Sequence, residues 1–580
     1  MSVETITPIA KTFNVAGCTL IMLYPDTVSF LFSELIRMIY REDYVWMTSE
    51  SAKLHKDLSF LDLLMTSLGG IIGSGWLLSA LLAANGAGPS SVFSWLIGGV
   101  VVMLIGLVYA ELTGFIPESG AVARYPHYSH GHLTGFIMGW AAWIAYASVP
   151  AVEAEAVVTY GQAYIPALRA ANGNISAVGL LVAAAFLVIF FIINYMGVRS
   201  FAKINTPLTI IKFIIPALTV ILFFIFGMHW GNFSSHGFAP YHSQGMMKVV
   251  ATAGIVFSYL GFRQSVDLSG EAKNAQRDVP RAIVVSLIVG ILLYVLLQLV
   301  FLGAVPSGIL SKGWGHISYS APFAQLAMSI NLGWFAILVY GSAIISPFGT
   351  GNVYTASTTR VIYALGSNGY FPRVLAKVDP KTGIPVWSLV VAVVLGLIFL
   401  APFPSWQALV GIVSSATVLT YIIGPVSAAV FRRVAPDAKR SVTIKNMGLL
   451  APLAFIGGSL IIYWAGWHTN EILLFAVLIG VILYLVASFL FPSQISRPTR
   501  QSIKAGVWLV VYLLFMLLIS NIGSKVFGGP NTLIHYPWDL VAVALGSLAF
   551  YYWGVRSGYK THDVSEVLDA IEESRASSSL

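Results

Sequence analysis

The sequence predicts an all-α polytopic membrane protein with a five-plus-five inverted-repeat core, and three observations lead to this fold class. First, 57% of the 580 residues are hydrophobic and 10% are charged, whereas about a quarter of the residues in a soluble domain are charged. Second, apolar spans of about 20 residues, enough to cross a bilayer, recur along the chain. Third, two of these spans are interrupted by glycines, and each of the two opens a set of five.

About fourteen spans follow residue 58, and an even number places both termini on the same side of the membrane. They are predicted at residues 59–84, 91–116, 134–163, 176–197, 204–228, 247–271, 281–304, 331–364, 385–402, 406–431, 448–467, 470–491, 505–523 and 538–556. Because five is an odd number, the second set of five must be inserted the opposite way round. This arrangement is the inverted repeat, with a binding site between the two copies near the bilayer midplane.

The lysine and arginine residues indicate which side of the membrane holds the termini. With both termini inside, most of the 32 basic residues fall in inside loops and tails, and four fall outside: Arg169, Lys248, Lys312 and Lys525. Cytoplasmic loops carry such an excess of positive charge. We therefore expect a multi-pass protein of the cell membrane with both termini in the cytoplasm. This topology accounts for the net charge of +8, which makes the lipid bilayer, and not nucleic acid, the expected partner.

The chain divides into four predicted regions. They are an interfacial or cytoplasmic segment (1–57), a transporter core (58–431, with repeats at about 58–228 and 247–431), a four-span scaffold (432–556) and a cytoplasmic tail (557–580). Synthesis from Met47 is an alternative to the full first segment. The single cysteine, Cys18, excludes an intramolecular disulfide.

The first interrupted span, residues 65–84, reads MTSLGGIIGSGWLLSALLAA. Glycine frees the backbone, and unwound backbone at membrane depth is tolerated only where it lies inside protein or lines a wet cavity. Its free amides attract an anion and its free carbonyls a cation, so the break suits a zwitterion. The alternative is that these glycines only allow close packing of helices. A second interrupted span at residues 249–270, with Gly254, Gly261 and Arg263, favours the binding-site interpretation because paired breaks in two halves indicate a transporter site.

Five stretches of the chain resemble the amino acid-polyamine-organocation (APC) superfamily of permeases. They are GGIIGSGW (69–76), YAELTGFIPESGAVARYPHYSHG (109–131), INYMGVRSFAKINTPLTIIKFIIP (193–216), GEAKNAQRDVPRAI (270–283) and TTRVIYALGSNGYFPRVLAKVDPKTGIPVWSL (358–389). The matches cover about residues 58–430, although Ser119 replaces a usual glycine and the family usually has twelve spans. The resemblance implies the five-plus-five fold and the import or exchange of amino acids or related amines, without covalent chemistry.

The breaks and the resemblance together assign the substrate-binding residues. The substrate carboxylate is expected to bind the amides of Gly73, Ser74 and Gly75, with the Ser74 hydroxyl as helper. The substrate ammonium is expected to meet carbonyls near Ile71 and those of Val256, Phe257 and Tyr259. Phe257, or else Tyr259, is the candidate aromatic gate, and the alternative is that both rings only pack.

Arg263 is the most informative side chain, because a guanidinium within a span costs at least about 2.5 kcal/mol on insertion scales. One interpretation is that it binds the side-chain carboxylate of an acidic amino acid at two points. The other is a structural ion pair with Asp267 or with Glu155. The sequence around it, GFRQSVDLSGEAKN, resembles the aspartate-proton symporter branch of the APC superfamily. This resemblance favours aspartate or glutamate as the substrate.

Lys212 and Glu155 are the candidates for proton coupling. By the resemblance, the Lys212 ammonium stands where sodium-coupled relatives hold a sodium ion, and this implies coupling to protons. Hydroxyls at Ser346, Thr350 and Ser357 keep sodium open as the alternative. Glu153 and Glu155 point to nearly opposite helix faces, and Glu155 matches the family position better.

Other charged residues are given structural roles or none. Glu111 and Glu271 border arginine-rich loops and are expected to be ion-pair anchors. The histidines 127, 130 and 132 lie in a predicted solvated turn without a carboxylate at metal-ligand spacing. No nucleophile motif or Walker loop is present, so neither an enzyme nor a bound metal or cofactor is expected.

The sequence thus predicts a secondary transporter that takes up an acidic amino acid with protons by alternating access. Two alternatives remain open at this stage. One is an amino acid exchanger, or a permease for neutral or cationic amino acids or amines. The other is a sensor of the same fold that binds its ligand without moving it.

Overall fold

The computed structural model describes residues 10–15, 18–23, 54–162, 165–168, 170, 175–400 and 406–578. Near the amino terminus, β1 (Ala10–Val15) pairs with β2 (Cys18–Leu23) in an antiparallel hairpin, with Ala10 opposite Leu23. Most of the interfacial segment predicted at residues 1–57 lies outside the described residues. Residues 52–580 form one compact unit, and its described residues are helical apart from connecting loops and one isolated bridge between Leu58 and Ala272.

Twenty-two α-helices make up the described part of this unit. They are α1 (Phe60–Ile71), α2 (Gly75–Ala87), α3 (Ser91–Phe115), α4 (Ala121–His130), α5 (His132–Gly161), α6 (Ala177–Tyr195), α7 (Val198–Phe226), α8 (His242–Thr252), α9 (Ile255–Tyr259), α10 (Gln264–Asp267), α11 (Ala275–Ala304), α12 (Ser307–Leu310), α13 (Pro322–Ser329), α14 (Gly333–Ser367), α15 (Val386–Phe399), α16 (Trp406–Tyr421), α17 (Ile423–Val434), α18 (Met447–Trp464), α19 (Trp467–Leu490), α20 (Arg500–Ile522), α21 (Trp538–Ser557) and α22 (His562–Ser578).

The all-α membrane class is confirmed, whereas the predicted number of spans is not reached. In the described residues, eleven helical runs are long and apolar enough to cross a membrane, or twelve with the bent pair α8–α10. Two features reduce the count below fourteen. Helix α2 runs into α3, so that Gly75–Phe115 counts as one run, and α1 and α15 are short at 12 and 14 residues.

The first interrupted span is two helices in the structure. Helix α1 begins in a capping box, because the Ser59 hydroxyl accepts the Asp62 amide and the Asp62 carboxylate accepts the Ser59 amide. It ends at Ile71, and α2 begins at Gly75. The three residues between them lie in neither helix. Both half-helices are almost wholly buried at the break.

The second interrupted span also bends. Helix α8 ends at Thr252, and the run Ile255–Asp267 leaves it at an angle of 50°. The bend passes through Gly254, whose φ of +80° is a left-handed conformation that favours glycine. Beyond the bend, α9 and α10 are joined by a 3₁₀ turn at Leu260–Arg263.

The two broken spans touch through glycine. A Cβ atom on Gly70 would lie 3.0 Å from the Gly261 Cα atom, so neither position has room for a larger residue. Close approach of backbones in membranes depends on such small residues. The glycine contact therefore brings the two breaks side by side in the middle of the bundle.

One end of the bundle is closed around the start of α1, and we call this end the amino-terminal end. The Leu58 amide donates to the Glu271 carbonyl, and the Lys273 amide donates to the Leu58 carbonyl, both at 3.0 Å. Arg360, near the end of α14, binds the Glu271 carboxylate through two nitrogens at 2.6 and 2.8 Å. These contacts join α1, α10 and α14, so the structure is closed at this end.

The carboxyl-terminal segment packs against α4 at the same end. The Tyr559 amide donates to the Ser129 carbonyl at 3.0 Å, and the Thr561 hydroxyl donates to the Tyr128 carbonyl at 2.9 Å. The first residues of α22 follow this contact, where Asp563 meets His127 at 2.5 Å. The histidines expected in a solvated turn are therefore engaged, and His127 and His130 are buried.

Candidate functional site

The candidate site lies where the two breaks meet. A Cβ atom on Gly75 would lie 3.6 Å from the Phe257 ring and still closer to the Ser258 side chain. The start of α2 thus faces α9 directly. Val256 is fully buried and Phe257 is 5% exposed. The structure brings together Gly73, Ser74, Gly75 and the start of α9, as the sequence predicts.

A carboxylate already occupies the anion-binding end of α2. The Ser74 amide donates to Glu153 Oε2 at 3.0 Å, and the Ser74 hydroxyl lies 3.1 Å from Glu153 Oε1. Glu153 comes from α5 and is fully buried. A helix amino terminus attracts negative charge through its free amides. The expected position of the substrate carboxylate is therefore filled by a side chain of the protein.

The Lys212 ammonium lies on the other side of the first break. It donates to the Gly69 carbonyl at 2.6 Å and to the Thr350 hydroxyl at 2.9 Å. Thr350 in turn donates to the Gly69 carbonyl at 2.7 Å. Lys212 is fully buried, and Glu153 is close to its partner Thr350, because a Cβ atom on Gly73 would lie 2.8 Å from Glu153 Oε1 and 2.9 Å from the Thr350 hydroxyl. One network thus connects α7, the end of α1, α14 and α5.

Of the two glutamates of α5, Glu153 and not the expected Glu155 reaches the break. Glu155 is partly exposed, whereas Glu153 is buried and reaches the break. The two residues are two positions apart and so point to different faces of the helix. The face that reaches the site also carries Tyr146, seven residues before Glu153.

The Ile71 carbonyl is already engaged in the structure. It accepts the Tyr294 hydroxyl at 2.7 Å and the Gly73 amide at 3.1 Å. Both lone pairs of this oxygen are therefore used. The expectation that carbonyls near Ile71 meet the substrate ammonium does not hold for Ile71 itself in this conformation.

Tyr259 is part of a packed aromatic cluster. Its hydroxyl donates to the Trp95 carbonyl at 3.2 Å. Its ring makes edge contacts with Trp95 and Tyr294, whose centroids lie 5.5 and 5.6 Å away. Phe257 is thus the remaining candidate for an aromatic gate.

Arg263 lies in a closed aromatic cage. Its Nε lies 4.0 Å from the Asp267 carboxylate, and its Nη1 donates to the Thr420 hydroxyl at 2.9 Å. The guanidinium also stands 4.3 Å from the Tyr421 ring centroid and 5.3 Å from that of Tyr146, within cation–π range. Of the two structural partners expected for Arg263, the structure contains Asp267 and not Glu155.

The Arg263 cage and the Ser74–Glu153 contact lie at different depths. Tyr146 of the cage and Glu153 are seven residues apart on α5, which corresponds to about 10 Å along the helix axis. Because α5 begins at the amino-terminal end, the cage is the layer nearer that end.

The described residues contain no group of three or more His, Cys, Asp or Glu side chains that could hold a metal ion. The arrangement at the breaks is instead suited to binding and releasing charged groups. It consists of helix-end amides, a buried carboxylate and a buried ammonium, which together can exchange one carboxylate for another and hold a proton.

Comparisons with known proteins agree with this geometry. A family model described as amino acid permease matches residues 58–518. The glutamate/serine transporter AimA of Bacillus subtilis (strain 168) is 41% identical over 517 residues, which cover 88% of this chain and 95% of the relative. The aspartate-proton symporter of the same organism is 39% identical over 513 residues, which cover 88% of this chain and 98% of the relative.

Proposed function

Because the chain belongs to the amino acid permease family, we propose that it imports an acidic amino acid, aspartate or glutamate, together with protons by alternating access. The observation that carries this proposal is the Glu153 carboxylate on the Ser74 amide and hydroxyl. Any substrate carboxylate that binds the start of α2 must first displace Glu153. Substrate binding and the charge of Glu153 are thereby linked.

The link to protons follows from charge balance. A Glu153 carboxylate that leaves Ser74 loses two charge-assisted hydrogen bonds in a buried site. A proton makes Glu153 neutral and permits this step, and the substrate carboxylate then takes over the Ser74 donors. On the other side of the bundle the substrate leaves, and Glu153 releases its proton and returns to Ser74. One proton accompanies each substrate in this cycle.

Lys212 supports protons over sodium as the coupling ion. Its ammonium bridges the Gly69 carbonyl and Thr350, which are oxygen ligands of the kind that a cation needs. A fixed positive charge at this position repels a metal cation. It also attracts the Glu153 carboxylate and so favours the ionised, proton-free state of the pair.

The substrate-binding residues follow from the same geometry. The Ser74 and Gly75 amides bind the substrate carboxylate, and the Gly73 amide joins them once it leaves the Ile71 carbonyl. The carbonyls of Val256 and Phe257 bind the substrate ammonium. The Phe257 ring closes over the ligand. Arg263 belongs to a different layer in this conformation, since Tyr146 of its cage lies seven residues from Glu153 on α5, about 10 Å along the helix axis.

Small neutral amino acids are the second candidate class of substrate. The relative named as a glutamate/serine transporter favours this class, because its name joins an acidic and a neutral amino acid. A site that binds the carboxylate and ammonium common to all amino acids suits both.

The amino-terminal end is proposed to face the cytoplasm of a cell. The described helices make a multi-pass membrane protein, and the excess of lysine and arginine in the loops at this end supports the orientation. In this orientation the structure is closed to the cytoplasm.

Uptake into proteoliposomes tests the proposal. Labelled aspartate is added under an imposed proton gradient, an imposed sodium gradient, or none, with a panel of competing amino acids. We expect accumulation only with the proton gradient and competition by glutamate. Exchange without gradient-driven accumulation would instead identify an exchanger, and binding without counterflow would identify a sensor.

A further inference from the structure

Two buried arginine–carboxylate pairs lie on the same side of the site, and they differ in how well they are satisfied. Arg360 and Glu271 form a two-point contact at 2.6 and 2.8 Å, and Arg360 also donates to the Ala356 carbonyl. Arg263 and Asp267 approach only to 4.0 Å. Both pairs are almost completely removed from solvent. The second pair is therefore not a closed ion pair of the kind that seals the amino-terminal end.

The Arg263–Asp267 pair keeps unused hydrogen-bonding capacity. Arg263 Nε and Nη2, both carboxylate oxygens of Asp267 and the Gln264 amide nitrogen have no hydrogen-bond partner in the described residues. The Tyr146 hydroxyl and the Val122 amide face Asp267 without making a bond of normal geometry. Buried polar groups are nearly always paired, so this cluster needs an explanation.

The position of the pair suggests what completes it. It lies between the Ser74–Glu153 layer and the Arg360–Glu271 closure, on the half-helix that follows the second break. Its walls are the rings of Tyr109, Tyr146 and Tyr421. A substrate that leaves the breaks toward the amino-terminal end must pass this layer once Arg360 and Glu271 separate.

We propose that Arg263 and Asp267 form a second, inner binding station for the zwitterionic head of the amino acid, where Arg263 receives the carboxylate and Asp267 the ammonium. The inference rests on the proposed function. A pair of opposite charges with free donors on one side and free acceptors on the other is complementary to a zwitterion. A side-chain carboxylate alone would place a like charge beside Asp267. The station therefore recognises the head common to all amino acids, and not the acidic side chain first expected to bind Arg263.

The station is tested by comparing apparent KM values at the two faces of the membrane. Uptake of labelled aspartate and serine is measured in intact cells, and counterflow in inverted vesicles. The isosteric variant Asp267→Asn should raise KM at the cytoplasmic face by about tenfold for both substrates. The same variant should leave the external KM within about twofold of that of the unmodified protein, because the Ser74–Glu153 layer is unchanged. An equal change at both faces would overturn the proposal.

A double variant separates a binding role from a structural one. Arg263→Gln with Asp267→Asn removes both charges, and replacing a buried ion pair as a whole is often neutral for stability. If the pair were only structural, the double variant would recover the original KM at both faces. If the pair binds substrate, the cytoplasmic KM of the double variant should stay about tenfold above that of the unmodified protein. Failure of every variant to fold would make the pair structural and also overturn the proposal.

The proposed function and the station fail in different ways. If the unmodified protein transports no amino acid in either preparation, the proposed function is wrong. If it transports aspartate or serine and the double variant keeps an unchanged cytoplasmic KM, only the station is wrong. The double variant Arg360→Gln with Glu271→Gln is the matched control, because it alters the pair that closes the amino-terminal end. It should change transport rates but should not raise the cytoplasmic KM relative to the external KM.

Discussion

The Glu153 carboxylate binds both hydrogen-bond donors of Ser74, with one oxygen on the backbone amide at 3.0 Å and the other beside the hydroxyl at 3.1 Å. The protein thus holds its own carboxylate at the helix end where a substrate carboxylate is expected to bind. Lys212 lies across the same break and holds the last turn of α1 to α14. The two charges balance each other only while Glu153 is ionised.

Glu153→Gln should separate substrate exchange from proton coupling. Glutamine keeps the size and one acceptor oxygen of the side chain but carries no proton in and out. We expect aspartate counterflow to persist within about threefold, while gradient-driven accumulation falls more than tenfold. Glu155→Gln is the matched control two residues away, on a partly exposed face, and should accumulate aspartate normally. Undiminished accumulation by the Glu153 variant would remove Glu153 from the mechanism.

Lys212→Ala should also abolish gradient-driven accumulation. The change removes the cation that binds Gly69 and interacts with Glu153, so an ionised Glu153 is left without its buried counter-charge. Accumulation of labelled aspartate under a proton gradient measures the effect. Lys203, on the same helix but exposed, provides the control variant Lys203→Ala, which should behave as the unmodified protein. Preserved accumulation in the Lys212 variant would contradict the role.

The sequence predicted the breaks better than the side chains around them. The run of glycines from Gly69 to Gly75 has a local cause, backbone freedom, and the structure divides the span there. The anchors Glu111 and Glu271 were also found, and they bind Arg432 and Arg360. The family resemblance was confirmed over residues 58–518. These features depend on short stretches of sequence.

The contacts that the sequence did not predict are contacts between distant elements. Choosing Glu153 over Glu155 requires knowing which face of α5 meets Ser74, and that face is set by packing. The engagement of Ile71 by Tyr294 and of Tyr259 by Trp95 involves residues on other helices. The depth of Arg263 follows from the path of the second broken span. None of these relationships has a local signature in the chain.

Gly73→Ala should weaken substrate binding. An added Cβ atom would lie 2.8 Å from Glu153 Oε1 and 2.9 Å from the Thr350 hydroxyl, closer than real contacts allow. Because both neighbours belong to the proposed binding and coupling network, we expect the external KM for aspartate to rise at least tenfold. Gly341→Ala on α14 is the control, since no atom lies within 4 Å of its added Cβ. Equal KM values in the two variants would refute the prediction.

Glu271→Gln should open the amino-terminal end of the bundle. Arg360 then keeps its buried charge without a full counter-charge, and breaking such a pair costs about 3–5 kcal/mol. A Ser67→Cys reporter in a Cys18→Ser background would measure opening, because Ser67 is fully buried. We expect a cytoplasmic thiol reagent to label it at least tenfold faster.

Asp278→Asn is the control for this opening. It removes the charge of Asp278, whose partner Arg277 is 67% exposed, so no buried arginine is left without a counter-charge. Labelling in this variant should match that of the reporter alone. If Glu271→Gln labels no faster than Asp278→Asn, the Arg360–Glu271 pair does not control access.

His130 should make the packing of the carboxyl-terminal segment sensitive to acid. It is buried, its Nε2 donates to the Gly554 carbonyl at 2.9 Å, and burial lowers its pKa to about 4. The unfolded chain takes up a proton near pH 6.5, so stability is lost as the pH falls from about 6.5 to 4, on the order of 3 kcal/mol in total.

Thermal unfolding in detergent measures this sensitivity to acid. The unmodified protein should show a steeper fall in Tm over this pH range than His130→Asn, whose amide can still donate to Gly554. His562→Asn, at an exposed position, should keep the original slope. Equal slopes for the unmodified protein and His130→Asn would show that the acid sensitivity arises elsewhere.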